Sequence, residues 1–113
     1  MKAIITGVTG FIGRNLSEIF HEEGIEVIAT GRSQDIGKEL QKSGIQFMPA
    51  DIRDQSQPDK AFCPADYVIH CAAKAGDWGT YQEFYDTNVI GTRNVINASK
   101  GNDIRKIIYI STP

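Results

Sequence analysis

Apolar residues follow two alternating rhythms along this chain. Unbroken runs at Ala3-Ile4-Ile5, Glu26 to Thr30, Ile45 to Met48, Asp66 to Cys71 and Lys106 to Ile110 are too short for helices and read as buried strands. Between them, apolar positions recur at three- and four-residue spacing. Ile12, Leu16, Ile19 and Phe20 share one face of a helix from about Phe11 to Glu23, with Gly24 as its stop. Gln34 to Ser43 is a more polar helix with Ile36 and Leu40 inward and Gly44 as its stop, and Asp54 can cap a short helix through Ala61. The longest helix runs from Tyr81 to about Lys100, where Tyr81, Phe84, Tyr85, Asn88, Val89, Thr92, Val95, Ile96 and Ser99 form one wide inward face. Strands that are apolar throughout, alternating with helices, predict an α/β domain over residues 1–113 with a parallel sheet covered on both faces.

The first strand leads into Thr6-Gly7-Val8-Thr9-Gly10-Phe11-Ile12-Gly13, a G-x-x-G-x-x-G turn opening a helix. Strand, glycine turn and helix N-terminus together form an anion site, because the first helical N–H groups lack partners and carry partial positive charge. Gly10 allows a pyrophosphate close to the backbone, and Gly13 allows the helix to pack tightly on the strand. The spacing differs by one residue from the commoner G-x-G-x-x-G fingerprint, and its setting points to dinucleotide binding.

This stretch resembles the cofactor fingerprint of the extended short-chain dehydrogenase/reductases, the NAD(P)-dependent epimerase, dehydratase and 3β-hydroxysteroid-dehydrogenase-like enzymes. The resemblance implies a Rossmann-type doubly wound sheet in the order 3-2-1-4-5, with the cofactor across the C-terminal ends of strands 1 and 4. It marks Gly7, Thr9, Gly10, Phe11, Ile12 and Gly13 as cofactor-binding candidates.

Cofactor choice is read at the end of the second strand. An NAD-binding unit usually places Asp or Glu there to accept from the ribose 2′-hydroxyl. Here the segment is Thr30-Gly31-Arg32-Ser33, with a guanidinium instead of a carboxylate. Arg32 can pair with a 2′-phosphate and Ser33 can add a hydroxyl donor, so NADP(H) is favoured over NAD(H). Asp51-Ile52 is similar to the family's aspartate–aliphatic pair, whose carboxylate accepts from the adenine amine while the next residue packs on the ring. His70-Cys71-Ala72-Ala73 matches the family's His-x-Ala-Ala, with Ala72, Ala73 and Lys74 along the cofactor. His70 itself reads as a structural, hydrogen-bonding residue. Asn88 to Asn94 resembles the helix motif N-x-x-G-T-x-N, whose first asparagine lies by the cofactor, and Ser111 matches a serine beside the nicotinamide. Trp78, in the loop Lys74 to Thr80, either anchors that loop or covers the nicotinamide end or a substrate.

The family's Tyr-x-x-x-Lys pair does not occur: the residues four after Tyr67, Tyr81, Tyr85 and Tyr109 are Cys71, Tyr85, Val89 and Pro113. Without that acid/base pair no catalytic residue is assigned, and the chain alone is expected to be inactive, with substrate binding left to a longer protein. The resemblance thus implies the cofactor-binding region of an oxidoreductase, epimerase or dehydratase acting on a hydroxyl or carbonyl group. The alternatives are a non-catalytic dinucleotide-sensing module and, disfavoured by the glycine turn with Asp51-Ile52, a Rossmann methyltransferase. The segment AAKAGDWG and the ending STP look most like the branch acting on sterols or 3-oxo/3-hydroxy acids.

Composition excludes more than it proposes. A net charge of −2 gives no reason to expect nucleic acid or an anionic membrane as partner. No apolar run approaches the ~20 residues of a membrane span, and the start shows no signal peptide. Cys63 and Cys71 form no disulfide framework, and Cys71 reads as a buried thiol in a reducing, cytoplasmic compartment. His21 has no partner at metal-binding spacing, so no metal site is expected. The last strand, Ile107 to Ile110, presents an apolar unpaired edge, which favours self-association.

Overall fold

In the computed structural model, which describes residues 1–71 and 79–110, the chain forms a sheet of five strands with helices on both faces. The strands are β1 (Lys2–Thr6), β2 (Glu26–Gly31), β3 (Gln46–Pro49), β4 (Tyr67–His70) and β5 (Lys106–Tyr109). The helices are α1 (Phe11–Glu22), α2 (Gln34–Lys42), α3 (Ser56–Ala61), α4 (Tyr81–Tyr85) and α5 (Gly91–Gly101), the last two joined by a π turn over Asp86–Ile90. All pairings are parallel and the order is β3-β2-β1-β4-β5, as expected from right-handed crossovers.

The apolar runs are continuous because neighbouring residues serve opposite faces. Ile4, Ile28 and Val68 belong to one buried cluster with Ala61, Phe62, Val95 and Ala98 from α3 and α5 and the residues flanking them. Ile5, Val27, Ala29 and Ile69 belong to the other, with Leu40 of α2 and the half-buried Leu16 and Phe20 of α1. Ile4 and Ile5 are both fully buried, so truncating either to Ala would cost about 2–5 kcal/mol.

The helix boundaries follow their local chemistry. Gly24 and Gly44 adopt φ of +83° and +89°, the left-handed geometry that ends α1 and α2. Ser33 caps α2 by accepting the Ile36 N–H at 3.4 Å. The Asp54 carboxylate accepts the Ser56 N–H at 3.1 Å and its hydroxyl at 2.9 Å, just ahead of α3.

Two helical faces differ from the sequence expectation. On α1 the fully buried residues are Gly13 and Ser17, while Ile12 and Ile19 are 50% and 52% exposed. The helix comes closest to the sheet at its small residues, with Leu16 and Phe20 packed beside them and Ile12 and Ile19 turned outward. In the long helix, the π turn inserts an extra residue and rotates the helix beyond it. The buried face of α5 becomes Gly91, Asn94, Val95, Ala98 and Ser99, while Tyr81, Val89 and Ile96 are exposed. Glycine at 91 is required there, because a Cβ would lie 2.6 Å from Ile52 Cδ1.

Among the described residues β5 pairs only with β4, at the end of the sheet, and Ile107, Ile108 and Tyr109 are 36%, 41% and 49% exposed. Among the described residues no helix is long and apolar enough to cross a membrane, and no group of three or more His, Cys, Asp or Glu is placed to hold a metal ion.

Candidate functional site: a cleft at the sheet switch point

Crossovers run from β1 to β2 on one side and lead to β4 on the other, so the chain separates above the C-terminal end of β1. An open cleft of about 350 Å³ lies there, with Gly7, Arg32, Asp51 and Cys71 contributed from beyond the ends of successive strands.

The floor is the glycine turn. Gly7 has φ of +71°, and its carbonyl accepts the Gly10 N–H at 3.0 Å. Gly13 sits directly on this turn: a Cβ there would overlap the Gly7 carbonyl oxygen and lie 2.8 Å from its carbon. No side chain caps α1, whose N-cap is Gly10, and its first turn contains no acidic residue. The N-terminal partial charge is therefore left for an external anion. Arg14 takes no part, since its guanidinium bonds Glu39 at 2.8 Å and Glu18 at 3.3 Å. Gly7, Thr9 and Gly10 line the cleft, while Gly13 supports the turn from beneath. Phe11 and Ile12 are 84% and 50% exposed in the first turn of α1 and are not part of the cleft wall.

Arg32 follows β2 on a second wall. It is exposed and makes no hydrogen bond or ion pair to a described residue, although its charge helps keep Asp51 ionised. The Ser33 hydroxyl beside it accepts from the α2 backbone, which leaves its own proton available to donate.

Beyond β3, Ala50 to Arg53 forms the third wall. Arg53 Nε lies 3.0 Å from Asp51 Oδ1, and Arg53 Nη2 lies 2.7 Å from Oδ2. This guanidinium bond is the main reason the Asp51 carboxyl is held below its ordinary range; burial opposes it, and the Arg53 N–H assists it. The Asp51 N–H donates to Gln57 Oε1 at 2.7 Å. Ile52 is buried, and its carbonyl accepts from Asn94 Nδ2 at 2.8 Å. The helix motif read from the sequence thus acts on the loop after β3: Gly91 makes room for the Ile52 side chain and Asn94 holds its backbone.

At the end of β4, His70 is fully buried, and its ring contacts hydroxyls on two elements. Nδ1 is 2.7 Å from Thr6 Oγ1 and Nε2 is 3.1 Å from Thr92 Oγ1. Burial pushes its pKa down to about 4. This is the structural histidine expected. Cys71 departs from expectation: it is half-buried and lines the cleft, with burial pushing its thiol up to about 11.

The expected cofactor residues Ala72, Ala73, Lys74 and Ser111, and also Trp78, lie outside the described residues. Asn88 is half-buried in the π turn, one residue beyond Thr87, and it is Thr87 that lines the cleft, together with Glu83 of α4. Sequence reasoning assigned no binding role to Arg53, Glu83, Thr87 or Cys71. The nearest available signal was the Asp-x-Arg spacing at 51–53; a π turn leaves no periodic trace that would have brought out Thr87.

A model of the NAD dependent epimerase/dehydratase family matches residues 3–113. The chain is 40% identical over 113 residues to a 2-alkyl-3-oxoalkanoate reductase of Stenotrophomonas maltophilia, covering all of this chain and 34% of that protein. It resembles the crystal structure of UDP-N-acetylglucosamine 4-epimerase from Bacillus cereus, with a TM-score of 0.78 at 30% identity over 99% of this chain and 40% of that one. A UDP-glucose 4-epimerase from Bifidobacterium longum, solved with NAD+ and UDP, gives a TM-score of 0.83 at 26% identity over 99% of this chain and 37% of that one. The chain therefore spans about a third of the length of the curated relatives it matches.

Proposed function

The chain belongs to the NAD-dependent epimerase/dehydratase family, and on that premise we propose that it is the dinucleotide-binding part of an NADP(H)-preferring enzyme acting on a hydroxyl or carbonyl group. One observation carries this reading: the switch-point cleft joins an uncapped helix N-terminus, an exposed uncommitted guanidinium and an ionised carboxylate. These match the needs of a diphosphate, a 2′-phosphate and an adenine amine respectively.

The residues present fit such a cofactor. Gly7 and Gly10 leave backbone open beneath a diphosphate, and Gly13 is a glycine because the turn occupies the space a side chain would need. Arg32 binds the 2′-phosphate with the Ser33 hydroxyl beside it. Asp51 accepts from the adenine amine, and the Ile52 segment flanks the ring. When bound, a nicotinamide cofactor supplies hydride chemistry; this chain's part is to hold and orient it. The chain spans about a third of its curated relatives' length, and within a longer protein of this kind its part is cofactor binding. The similarity to a 2-alkyl-3-oxoalkanoate reductase supports a 3-oxo or 3-hydroxy acid as the substrate class of that longer protein.

Calorimetric titration with NADPH and NADH tests this. Binding of both, with NADPH at least about tenfold tighter, is the expected result for a charge-assisted contact contributing about 1.5–3 kcal/mol. Equal affinities would overturn the NADP(H) preference, and no heat with either nucleotide would overturn the whole reading.

A further inference from the structure

The Asp51 carboxylate has most of its acceptor capacity already used. A carboxylate offers about four lone-pair sites. Oδ1 takes the Arg53 N–H at 3.0 Å and Arg53 Nε at 3.0 Å. Oδ2 takes Arg53 Nη2 at 2.7 Å and a weaker share of Nε at 3.2 Å. The capacity that remains is on Oδ2, whose second site holds only that weaker share of Nε. The carboxylate cannot swing about its last torsion without breaking this two-pronged contact. Its backbone is fixed as well, through the bond to Gln57 and the Asn94 bond to Ile52.

Arg53 is held in its charged form chiefly by this bond and by the Asp51 charge, with Asp86 and Glu83 adding to it. Both partners line the cleft. An ion pair this exposed contributes at most about 1 kcal/mol to folding, so the fold does not depend on it. Its consequence is for recognition.

We infer that Arg53 is a positioning residue that sets base specificity: it fixes Asp51 as a single-site acceptor that takes a 6-aminopurine and rejects a 6-oxopurine. This rests on the proposed role of Asp51 toward adenine. An amino group places a proton on that Oδ2 site. A 6-oxo group would bring lone pairs against lone pairs, leaving two unsatisfied acceptors in the cleft. A carboxylate free to turn could accept from the N1–H of a 6-oxopurine, and one that takes up a proton could donate to its 6-oxo group, so either base would be accommodated.

The test compares binding of NADPH with its 6-oxo analogue, nicotinamide hypoxanthine dinucleotide phosphate, to the 113-residue chain at pH values from 5 to 8. Wild type should favour the adenine form by about tenfold or more throughout. Arg53→Gln should keep its urea midpoint but reduce the ratio to about twofold or less, most markedly at pH 5, where an unclamped carboxyl protonates more readily. Arg53→Lys, which keeps the charge but makes no two-pronged contact, should be intermediate and serves as the second variant if Arg53→Gln folds poorly. Asp51→Asn separates the two claims, since its amide can present either a donor or an acceptor. If Asp51→Asn abolishes the preference and both Arg53 variants retain it, the inference about Arg53 falls and the role of Asp51 survives. If Asp51→Asn keeps the wild-type ratio, or wild type shows no base preference, both fall.

Discussion

The hydroxyl of Thr6 lies 2.7 Å from Nδ1 of His70, tying the end of β1 to the end of β4 directly beneath the cleft. Thr6 Oγ1 also accepts the Cys71 N–H at 3.0 Å. Nε2 lies 3.1 Å from Thr92 Oγ1, so in either neutral tautomer one ring nitrogen donates to a hydroxyl and the other accepts from one. The neutral ring is thus a three-way joint between β1, β4 and α5.

Protonation should break that joint. Burial lowers the folded-state pKa of His70 from 6.5 to about 4. Between those values the unfolded chain binds more protons, so this residue makes stability rise with pH through the window and fall on acidification. The loss approaches roughly 3 kcal/mol by pH 4, since each pH unit across the window is worth about 1.4 kcal/mol. Urea unfolding at pH 7.0 and pH 4.5 should show a drop of about 2–3 kcal/mol attributable to His70. A His70→Gln variant should be less stable at pH 7 but lose this component of the pH slope. An unchanged slope in the variant would show that other groups cause the drop.

Much of this architecture was legible in the sequence because unbroken apolar runs such as Ala3-Ile4-Ile5 have only one economical placement, between two covering layers. The stops at Gly24 and Gly44 were legible for a similarly local reason, as both residues adopt positive φ. What periodicity could not show was contact made by small residues. Gly13 and Ser17 are the fully buried residues of α1, and Gly91, Asn94 and Ala98 join the expected Val95 and Ser99 on the buried face of α5. The π turn compounds this, because it breaks the 3.6-residue count at the point where Thr87 reaches the cleft. In the site, Arg32 and Asp51 were readable as residue types with a known chemical use. The Arg53 clamp was not, since it depends on a loop closing over two residues.

Gly13→Ala tests the turn on which the diphosphate reading depends. The added methyl would overlap the Gly7 carbonyl and approach Thr6 O at 3.1 Å, and both neighbours are backbone. Helix α1 must move or the turn must open. The expected destabilisation is about 1–3 kcal/mol or more in denaturant unfolding. NADPH affinity should fall by a larger factor than at Gly24, where a side chain would meet nothing within 4 Å. Equal effects at both positions would mean that the turn has no special part in binding.

Arg32→Asp addresses cofactor choice. Arg32 has no protein partner among the described residues to lose, so stability should change by less than about 0.5 kcal/mol, as for other surface substitutions. The carboxylate can accept from a 2′-hydroxyl and repels a 2′-phosphate. The NADPH-to-NADH affinity ratio should therefore fall by about 10- to 100-fold, the scale of a charge-assisted contact reversed in sign. A ratio that does not move would place the 2′-phosphate away from the end of β2.

Asn94 connects folding to the Asp51-Ile52 loop most directly. It is buried, its amide donates to the Ile52 carbonyl at 2.8 Å, and its backbone carbonyl accepts from Gln55 Nε2 at 3.0 Å. Asn94→Leu keeps the volume but removes the donor, leaving the Ile52 carbonyl in a dry setting without its partner. The cost should be about 1–3 kcal/mol. Asn94→Asp should cost more at neutral pH, because it sets an anion against that carbonyl, and should recover as the carboxyl protonates at low pH. A group whose folded-state pKa is raised destabilises above that pKa, so unfolding free energies measured from pH 7 to pH 5 should converge for Asn94→Asp and Asn94→Leu. If they instead stay parallel, the Asn94 bond to Ile52 is not what holds this loop. Dinucleotide affinity should weaken in both variants by more than in Asn97→Ala, a surface neighbour whose bond to Gln55 at 3.1 Å is exposed.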